Sequence, residues 1–339
     1  MRDFLIDQIG IIVWLQQLGP VLRSIAGFLT VLAEEQFFLL IIAIIYWSFN
    51  AVTGIRMMVL LVFSNALNLF SKYIFITPRP YWVSNDVIPL KLESSFSLPS
   101  RRAQLSMVMY TWLSRLINKQ WAKVLAGVII IVIGLALLIS GLQYPIDIFA
   151  GWFIGFVILR TFRGSMISTA KPSESPKIST QIISALISAL AFYGLCYLIA
   201  QLRNDWVMPP AWELNSRGAE PFNLIEAANS TGLWLGGSLG FIVLRTRRGM
   251  LASSQGGSKR CWRVLVGLAG AGLLHHIPYN LLPNVPFIGT QTFAMIRFFV
   301  LGIWITALSP LLFEKLGLAE IEPIYKKFTN IPPRVISFD

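Results

Sequence analysis

Long runs of apolar residues, several of them close to twenty positions with almost no charge, dominate this chain. The clearest are residues 123–142, 179–201 and 290–313. A helix of about 20 apolar residues spans the hydrocarbon core of a bilayer, and the runs lack the alternation of a half-buried strand. Only 13% of the residues are charged, whereas a soluble chain carries roughly a quarter. The sequence therefore predicts an all-α integral membrane protein.

We predict about nine transmembrane helices, several of them near the short limit of about 17 residues. The predicted spans are 24–48, 56–76, 103–117, 123–142, 146–162, 179–201, 229–245, 262–277 and 290–313. Residues 4–18 are too short and too interrupted to span, and they indicate an interfacial amphipathic helix. We accordingly expect three regions: an interfacial segment at 1–20, a transmembrane core at 21–201, and an additional region of three spans and a cytoplasmic tail at 202–339.

The distribution of basic residues predicts the orientation of these spans. Most of the 28 Lys and Arg lie in alternate connections, which the positive-inside rule assigns to the cytoplasm. These cytoplasmic segments are 49–56, 115–123, 160–177, 245–263 and the tail from 315. The intervening loops, including 77–102, 202–228 and 278–289, are then extracytoplasmic. This bias accounts for the net charge of +12, so we predict no nucleic-acid partner.

A pair of cations stands where the second span ends. Lys72 and Arg79 are seven positions apart, and Pro78 and Pro80 stiffen the turn that carries the arginine. Two fixed cations at the mouth of a span suit the binding of a phosphate. The alternative for Lys72 is a lysine snorkelling at a helix end. Asn65 and Asn68 continue the polar stripe into the span, either beside a substrate or as partners of neighbouring helices.

Other polar residues of the predicted spans have more than one interpretation. We expect Glu34 or Glu35 to pair with Lys72 or Arg79 across the bundle, ahead of a role in proton transfer. Asp147 either caps the fifth span or orients another site residue. For His275 and His276, the only histidines, interfacial hydrogen bonding is favoured over metal binding because no carboxylate lies near them in sequence. We predict no metal and no cofactor.

Three segments resemble the motifs of the type 2 phosphatidic acid phosphatase superfamily, especially its bacterial membrane branch. Its first motif, Lys, six residues and Arg-Pro, is present in full at residues 72–80. In the second, Pro-Ser-Gly-His, Pro99 and Ser100 match, whereas Arg101 and Arg102 replace the last two residues. In the third, Asp147 matches. Ala136, Leu137 and Gln143 stand where Ser, Arg and His belong. The likeness extends over essentially the whole chain, from residues 34–38 to 316–318.

The resemblance implies a phosphatase-type helical bundle and a role for each motif position. In the family, the third-motif histidine is the nucleophile, the aspartate orients it, and the second-motif histidine protonates the leaving alkoxide. Gln143 and Arg102 hold those two histidine positions here, and neither supports that chemistry. Lys72, Arg79, Ser100 and Arg101 would bind phosphate, with Arg102 as a further candidate. Arg101 and Arg102 also fit a relaxed site in which they snorkel at a helix start.

The resemblance leads to three hypotheses for function. The first is a catalytically impaired family member, a pseudoenzyme that binds lipid phosphate or another anionic head group at the extracytoplasmic face. The second is an active lipid phosphate phosphatase that hydrolyses a phosphatidate or a polyprenyl (di)phosphate. The third is a structural membrane subunit with a vestigial site. The bacterial branch implies the plasma membrane, with the site facing the periplasm or the cell exterior. The sequence does not identify a protein partner.

Overall fold

The structure is a computed structural model that describes residues 2–165, 177–252, 256–276 and 289–322, with side chains from residue 7 and without those of 163–165. It is almost entirely helical, which confirms the predicted fold class. The part of the predicted cytoplasmic tail beyond residue 322 and most of the predicted loops 163–178 and 278–289 lie outside the described residues.

The helices follow one another with short connections. The first seven are α1 (Arg2–Gln16), α2 (Pro20–Val31), α3 (Glu35–Ser48), α4 (Ala51–Phe75), α5 (Pro80–Val83), α6 (Arg101–Ile117) and α7 (Gln120–Ile139). The remainder are α8 (Pro145–Ser165), α9 (Ile178–Leu202), α10 (Pro210–Ser216), α11 (Ile225–Arg247), α12 (Gly257–His275), α13 (Thr290–Ile303) and α14 (Ser309–Lys315). A short π-helix at Trp304–Leu308 joins α13 and α14. Strands β1 (Met250–Leu251) and β2 (Ile321–Glu322) pair antiparallel.

In the part of the chain that the structure describes, fewer helices have the length and apolarity of a membrane span than the sequence predicts. Within the described residues, six helices are long and apolar enough to cross a membrane, or seven if the bent pair formed by α1 and α2 counts as one span. These two helices meet at 108°, next to Gly19 and Pro20. The predicted count of nine is therefore not confirmed. The predicted spans at 103–117 and 262–277 form helices α6 and α12, which are not among the six.

The predicted first span, 24–48, is divided into two helices. Helix α2 ends at Val31 and α3 begins at Glu35, so Glu34 lies in the break and Glu35 in the first turn of α3. A carboxylate is favourable at a helix N-terminus because the helix dipole is positive there. The two acidic residues thus belong to a helix start and not to the middle of a span, which corrects the sequence prediction.

The described chain groups into two compact units, each made of three segments. The first unit contains Met1–Leu39, Val59–Ile167 and Phe192–Ser230, and the second contains Leu40–Met58, Ser168–Ala191 and Thr231–Asp339. Every motif residue named above lies in the first unit. The region boundaries expected from the sequence stay a prediction.

In the first unit, α8 lies against the N-terminal half of α6 because two glycines allow a close approach. A Cβ at Gly151 would stand 2.5 Å from the carbonyl oxygen of Ser100, and one at Gly155 would stand 2.9 Å from that of Gln104. An apolar cluster of Ala33, Ala103, Ile133, Leu137 and Ile148 fills the space beside this contact. The packing holds the start of α6 next to the start of α8, where the motif residues are.

In the second unit, glycines again bring two helix backbones together. A Cβ at Gly236 of α11 would stand 1.9 Å from the carbonyl oxygen of Phe299 in α13. The guanidinium of Arg263, fully buried, donates to the carbonyl oxygens of Leu318 at 2.9 Å and Trp47 at 3.1 Å. Arg263 therefore ties α12 to the end of α3 and to the residues that follow α14. In both units, glycines therefore allow close helix packing.

Candidate functional site

The residues of the three motifs lie at helix ends. Lys72 is in the last turn of α4, which ends at Phe75, and the next residue, Ile76, has a positive φ of 48°. Arg79 is the N-cap residue of α5, where Pro80 supplies the fixed backbone angle suited to a first helical position. Ser100 caps α6, accepting a hydrogen bond from the Ala103 N–H at 3.3 Å. Asp147 is in the first turn of α8.

The two cations of the first motif converge on the side chain of Ser95. Lys72 Nζ donates to Ser95 Oγ at 2.8 Å, and Arg79 Nη2 donates to the same oxygen at 3.1 Å. All three residues are buried. The convergence shows that donors of both cations meet at one oxygen atom, which is the arrangement that binding of a phosphate oxygen requires.

The Arg79 guanidinium is held by backbone carbonyl oxygens of two loops, the one before α6 and the one before α8. Its Nε donates to Ser95 O at 2.7 Å, and its Nη1 donates to Leu142 O at 3.0 Å. The carboxylate of Glu93 lies 3.9 Å from Nη2. Arg79 therefore joins the loop before α6 to the loop before α8 and also faces Lys72.

The two arginines that begin α6 each bind carboxylates. Arg102 Nη2 lies 2.6 Å from Glu34 Oε1 and 2.6 Å from Glu93 Oε1. Arg101 Nη1 lies 3.2 Å from Glu226 Oε2, in the first turn of α11. The expectation that Glu34 or Glu35 pairs with Lys72 or Arg79 is wrong. Glu34 binds Arg102 because the helix break places it next to the start of α6, and the acidic neighbour of Arg79 is Glu93.

We use the term cationic cup for Lys72, Arg79, Arg101 and Arg102 together with Ser95 and the carboxylates of Glu34, Glu93 and Glu226. Lys91 lies at its rim, 64% exposed, and is 3.7 Å from Glu34 and 3.6 Å from Glu93. Burial alone would raise the pKa of Glu93, but the charges of Arg102, Arg79 and Arg101 outweigh it and hold that pKa below its usual value. Glu93 is accordingly ionised at neutral pH.

Two sequence models of known families match successive parts of the chain. The PAP2 superfamily matches residues 53–166, and the transmembrane extension of PAP2 superfamily phosphatases matches residues 228–321. The chain belongs to the PAP2 superfamily. This is the type 2 phosphatidic acid phosphatase superfamily to which the motifs point, so the predicted family is confirmed.

A solved structure is also similar to this PAP2 chain. It is the first transmembrane PAP2 type phosphatidylglycerolphosphate phosphatase from Bacillus subtilis, at 19% identity and a TM-score of 0.40, over 50% of this chain and 96% of that one. No curated protein matches the chain. The family assignment rests on the two sequence models.

The third PAP2 motif is folded around Asp147, but its partners are not those implied by the resemblance. Asp147 Oδ2 accepts hydrogen bonds from the Ser97 hydroxyl and from the Tyr144 N–H, the latter at 2.8 Å. Gln143 is buried, and its Oε1 has no hydrogen-bond partner among the described residues. Leu137 is fully buried in the apolar cluster. Asp147 therefore joins the loop before α6, through Ser97, to the start of α8, through Tyr144.

The polar stripe of α4 makes bonds between helices. Asn68 Nδ2 donates to Gln104 Oε1 at 2.9 Å and to Pro99 O at 3.2 Å, and Gln104 donates in turn to Ser64 at 2.8 Å. For Asn68 this favours the interhelical alternative over a place beside a substrate. The histidines are elsewhere. His275 and His276 end α12 in the second unit, with ring centroids 5.4 Å apart.

Three residues of the cup were missed by the sequence reasoning: Glu93, Ser95 and Glu226. They belong to no family motif, and Glu226 lies far along the chain from the residues it meets. No group of three or more His, Cys, Asp or Glu side chains suited to a metal occurs within the described residues. An acidic residue in the loop 77–102 was a weak signal for Glu93, since buried arginines need counter-charges.

Proposed function

We propose that this PAP2 protein is a catalytically impaired member that binds a lipid phosphate or another anionic lipid head group at the extracytoplasmic face of the membrane. One observation carries the proposal. The positions of both reacting histidines are held by Gln143 and Arg102, while Lys72 and Arg79 converge on one oxygen atom in a buried site. The binding half of the family site is thus present without its reacting half.

The chemistry of the two replacements supports impairment. A glutamine has no nucleophilic nitrogen lone pair and does not titrate near neutral pH. An arginine stays protonated, so it does not protonate a leaving alkoxide. Arg102 is in addition engaged by two carboxylates at 2.6 Å. Phosphoryl transfer to the protein needs a nucleophile opposite the leaving group and a proton donor, and neither motif position supplies one.

The geometry of Lys72 and Arg79, which we call the clamp, supports binding. Lys72 and Arg79 present donors to Ser95 Oγ, and a phosphate oxygen that takes the place of the hydroxyl would meet the same two donors. Hydrogen bonds from ionised donors to an anionic oxygen are roughly twice as strong as neutral ones. The two cations would therefore form stronger hydrogen bonds with a phosphate oxygen than with the Ser95 hydroxyl.

A second candidate is a structural membrane protein with a vestigial site. The observation in its favour is that Arg79, Arg101 and Arg102 each already lie near a carboxylate of the protein. In that function the charges serve to hold α6 against α11 and against the loop that carries Glu93. The two candidates differ in whether a lipid phosphate changes the stability of the protein.

The test uses protein purified in detergent. Phosphate release from phosphatidic acid and a polyprenyl diphosphate is measured with the native protein and with the Lys72→Ala, Arg79→Ala double variant. Lys119→Ala, Lys123→Ala, which removes two exposed charges from the opposite connection, is the matched control. We expect the native protein to release no more phosphate than the double variant. We expect lipid phosphate to raise the Tm of the native protein and of the control, but not that of the double variant.

Two further results decide between the candidates. If the native protein releases more phosphate than the Lys72→Ala, Arg79→Ala variant, the proposal of catalytic impairment is wrong and an active phosphatase is favoured. No release and no lipid-dependent rise in Tm would favour the structural function. A variant with Arg101→Gly, Arg102→His and Gln143→His tests whether the scaffold still supports phosphatase chemistry once both histidines are restored.

A further inference from the structure

We infer that the cup selects a head group with one negative charge, a phosphodiester lipid, over the doubly charged phosphomonoester, and that Glu93 sets this preference. The inference rests on the proposed function, because it names the class of lipid that the site takes. It differs from that proposal in predicting which of two lipid phosphates is bound more tightly, and which single side chain decides it.

The charges of the cup can be balanced by a ligand with a single negative charge. The four cations of the cup face three carboxylates, and each arginine has a carboxylate within 3.9 Å. Lys72 is the cation of the cup that has no ion pair within the described residues, and its Nζ donates a hydrogen bond to the neutral Ser95 hydroxyl. Glu35 and Asp147 also make no ion pair among the residues that the structure describes. Among the seven charged side chains of the cup the positive charges exceed the negative charges by one, and the cation without a carboxylate partner is Lys72 of the clamp. Lys91, at the exposed rim, is already paired with two of the three carboxylates.

Glu93 is placed to repel a second negative charge. Its carboxylate lies between Arg79 and Arg102, with Oε2 3.9 Å from the one and Oε1 2.6 Å from the other. Arg79 is also half of the clamp, so an anion bound there is a near neighbour of this carboxylate. The side chain of Glu93 is 10% exposed. Charges that are shielded from water interact more strongly than charges at the surface.

The backbone at Glu93 is fixed, so the carboxylate does not leave simply by movement of the loop. The Glu93 N–H donates to Tyr81 Oη at 2.9 Å, and the Tyr81 hydroxyl donates to Glu93 O at 3.1 Å. Tyr81 itself is buried in the apolar cluster that contains Trp82 and Phe96. A ligand must therefore be accommodated next to Glu93 and not in its place.

The two classes of lipid phosphate differ in charge at pH 7. A phosphomonoester has a second pKa near 6 and carries about −1.5 to −2, whereas a phosphodiester carries a single charge. The first charge of either ligand is balanced by Lys72. The additional charge of the monoester meets Glu93 without a free cation to balance it. We expect the diester to bind about tenfold more tightly, which corresponds to one unfavourable interaction between like charges.

The experiment compares two lipids that differ by one methyl group and one charge. Phosphatidylmethanol and phosphatidic acid with identical acyl chains are titrated into the full-length protein in detergent at pH 7.5, and binding is followed by native mass spectrometry. We expect the native protein to prefer phosphatidylmethanol about tenfold, and Glu93→Gln to shift the ratio of the two affinities toward phosphatidic acid by a similar factor. Glu213→Gln, an exposed glutamate in α10 with the same charge change, leaves the ratio unaltered.

Each outcome has a defined meaning. Tighter binding of phosphatidic acid by the native protein overturns this inference and leaves the proposed function standing. A preference for phosphatidylmethanol that Glu93→Gln does not alter overturns the role of Glu93. Binding of neither lipid by the native protein overturns the proposed function itself. If Glu93→Gln does not fold, Glu34→Gln removes the other carboxylate of Arg102, and the preference of the native protein remains a test on its own.

Discussion

Among single residues, Arg102 has the most far-reaching effect on the site. It stands where the resemblance implies a histidine that protonates the leaving group, and its permanent charge is satisfied by Glu34 and Glu93 at 2.6 Å each. A buried charge is stable only with such partners. The replacement at this one position therefore goes together with two carboxylates in the cup, and these carboxylates define which anions fit.

The ionisation of Glu93 makes the stability of the protein depend on pH. Its pKa in the folded protein lies below the usual value of 4.5, so its contribution is present above pH 4.5 and is lost as the pH falls toward the folded value. We expect the Tm in detergent to be level above about pH 5 and to fall in acid. Glu93→Gln should cost about 2 kcal/mol at neutral pH and show a smaller decline in acid. Equal declines in the two proteins would contradict this assignment.

Leu137 stands where the family has an arginine, and it is part of the apolar packing. The side chain is fully buried with Ala33, Ala103, Ile133 and Ile148. We expect Leu137→Arg to destabilise the protein by about 3 kcal/mol, because the charge enters an apolar cluster without a carboxylate partner. Leu137→Met, which keeps the volume, should cost less than about 1.5 kcal/mol. Thermal unfolding in detergent compares the two variants, and an unchanged Tm for Leu137→Arg would show that a partner for the arginine exists.

At the scale of helices, the site depends on how closely α8 approaches α6. Gly151 faces the carbonyl oxygen of Ser100, the residue that caps α6, and Ser100 N–H donates to Asp147 O at 3.0 Å. Backbone atoms contact one another here, so there is no flexible side chain to give way. The close approach of the two helices sets the position of the second motif relative to the third.

We expect Gly151→Ala to be strongly destabilising because its methyl group would meet a backbone oxygen at 2.5 Å. Overpacking of this kind typically costs about 1–3 kcal/mol. Gly127→Ala is the matched control in α7, since a Cβ at Gly127 has no neighbour within 4 Å. That control should be neutral or slightly stabilising, because alanine favours a helix. Measured Tm values in detergent test the pair, and similar values for both variants would argue against the close contact.

The apolar runs predicted most of the long helices, because a span is determined by local composition. The break between α2 and α3 was missed: the run 24–48 is apolar on both sides of Glu34, and nothing local marks a helix end there. The three cup residues outside the motifs were missed for a different reason. Glu93 and Glu226 act through contacts with Arg102 and Arg101, and such partners depend on tertiary packing that the sequence pattern does not contain.

For the whole molecule, the positive-inside rule predicts the side of the membrane on which the cup opens. The loop before α6 is predicted extracytoplasmic, and the basic connection that includes Arg245, Lys259 and Arg260 is predicted cytoplasmic. A phosphodiester head group on the extracytoplasmic leaflet would then reach the clamp without crossing the bilayer. The orientation is therefore the property of the whole chain on which the proposed lipid site depends.

Cysteine labelling tests this orientation with residues that the chain already offers. Cys261 is exposed in α12 and Cys196 is buried, so a membrane-impermeant maleimide should label Cys261 only after intact cells are opened. In a Cys261→Ser background, Lys91→Cys at the exposed rim of the cup should be labelled in intact cells. Lys119→Cys, in the connection predicted to be cytoplasmic, is the matched control and should require opening of the cells. Labelling of Lys119→Cys but not of Lys91→Cys in intact cells would reverse the orientation and place the cup on the cytoplasmic leaflet.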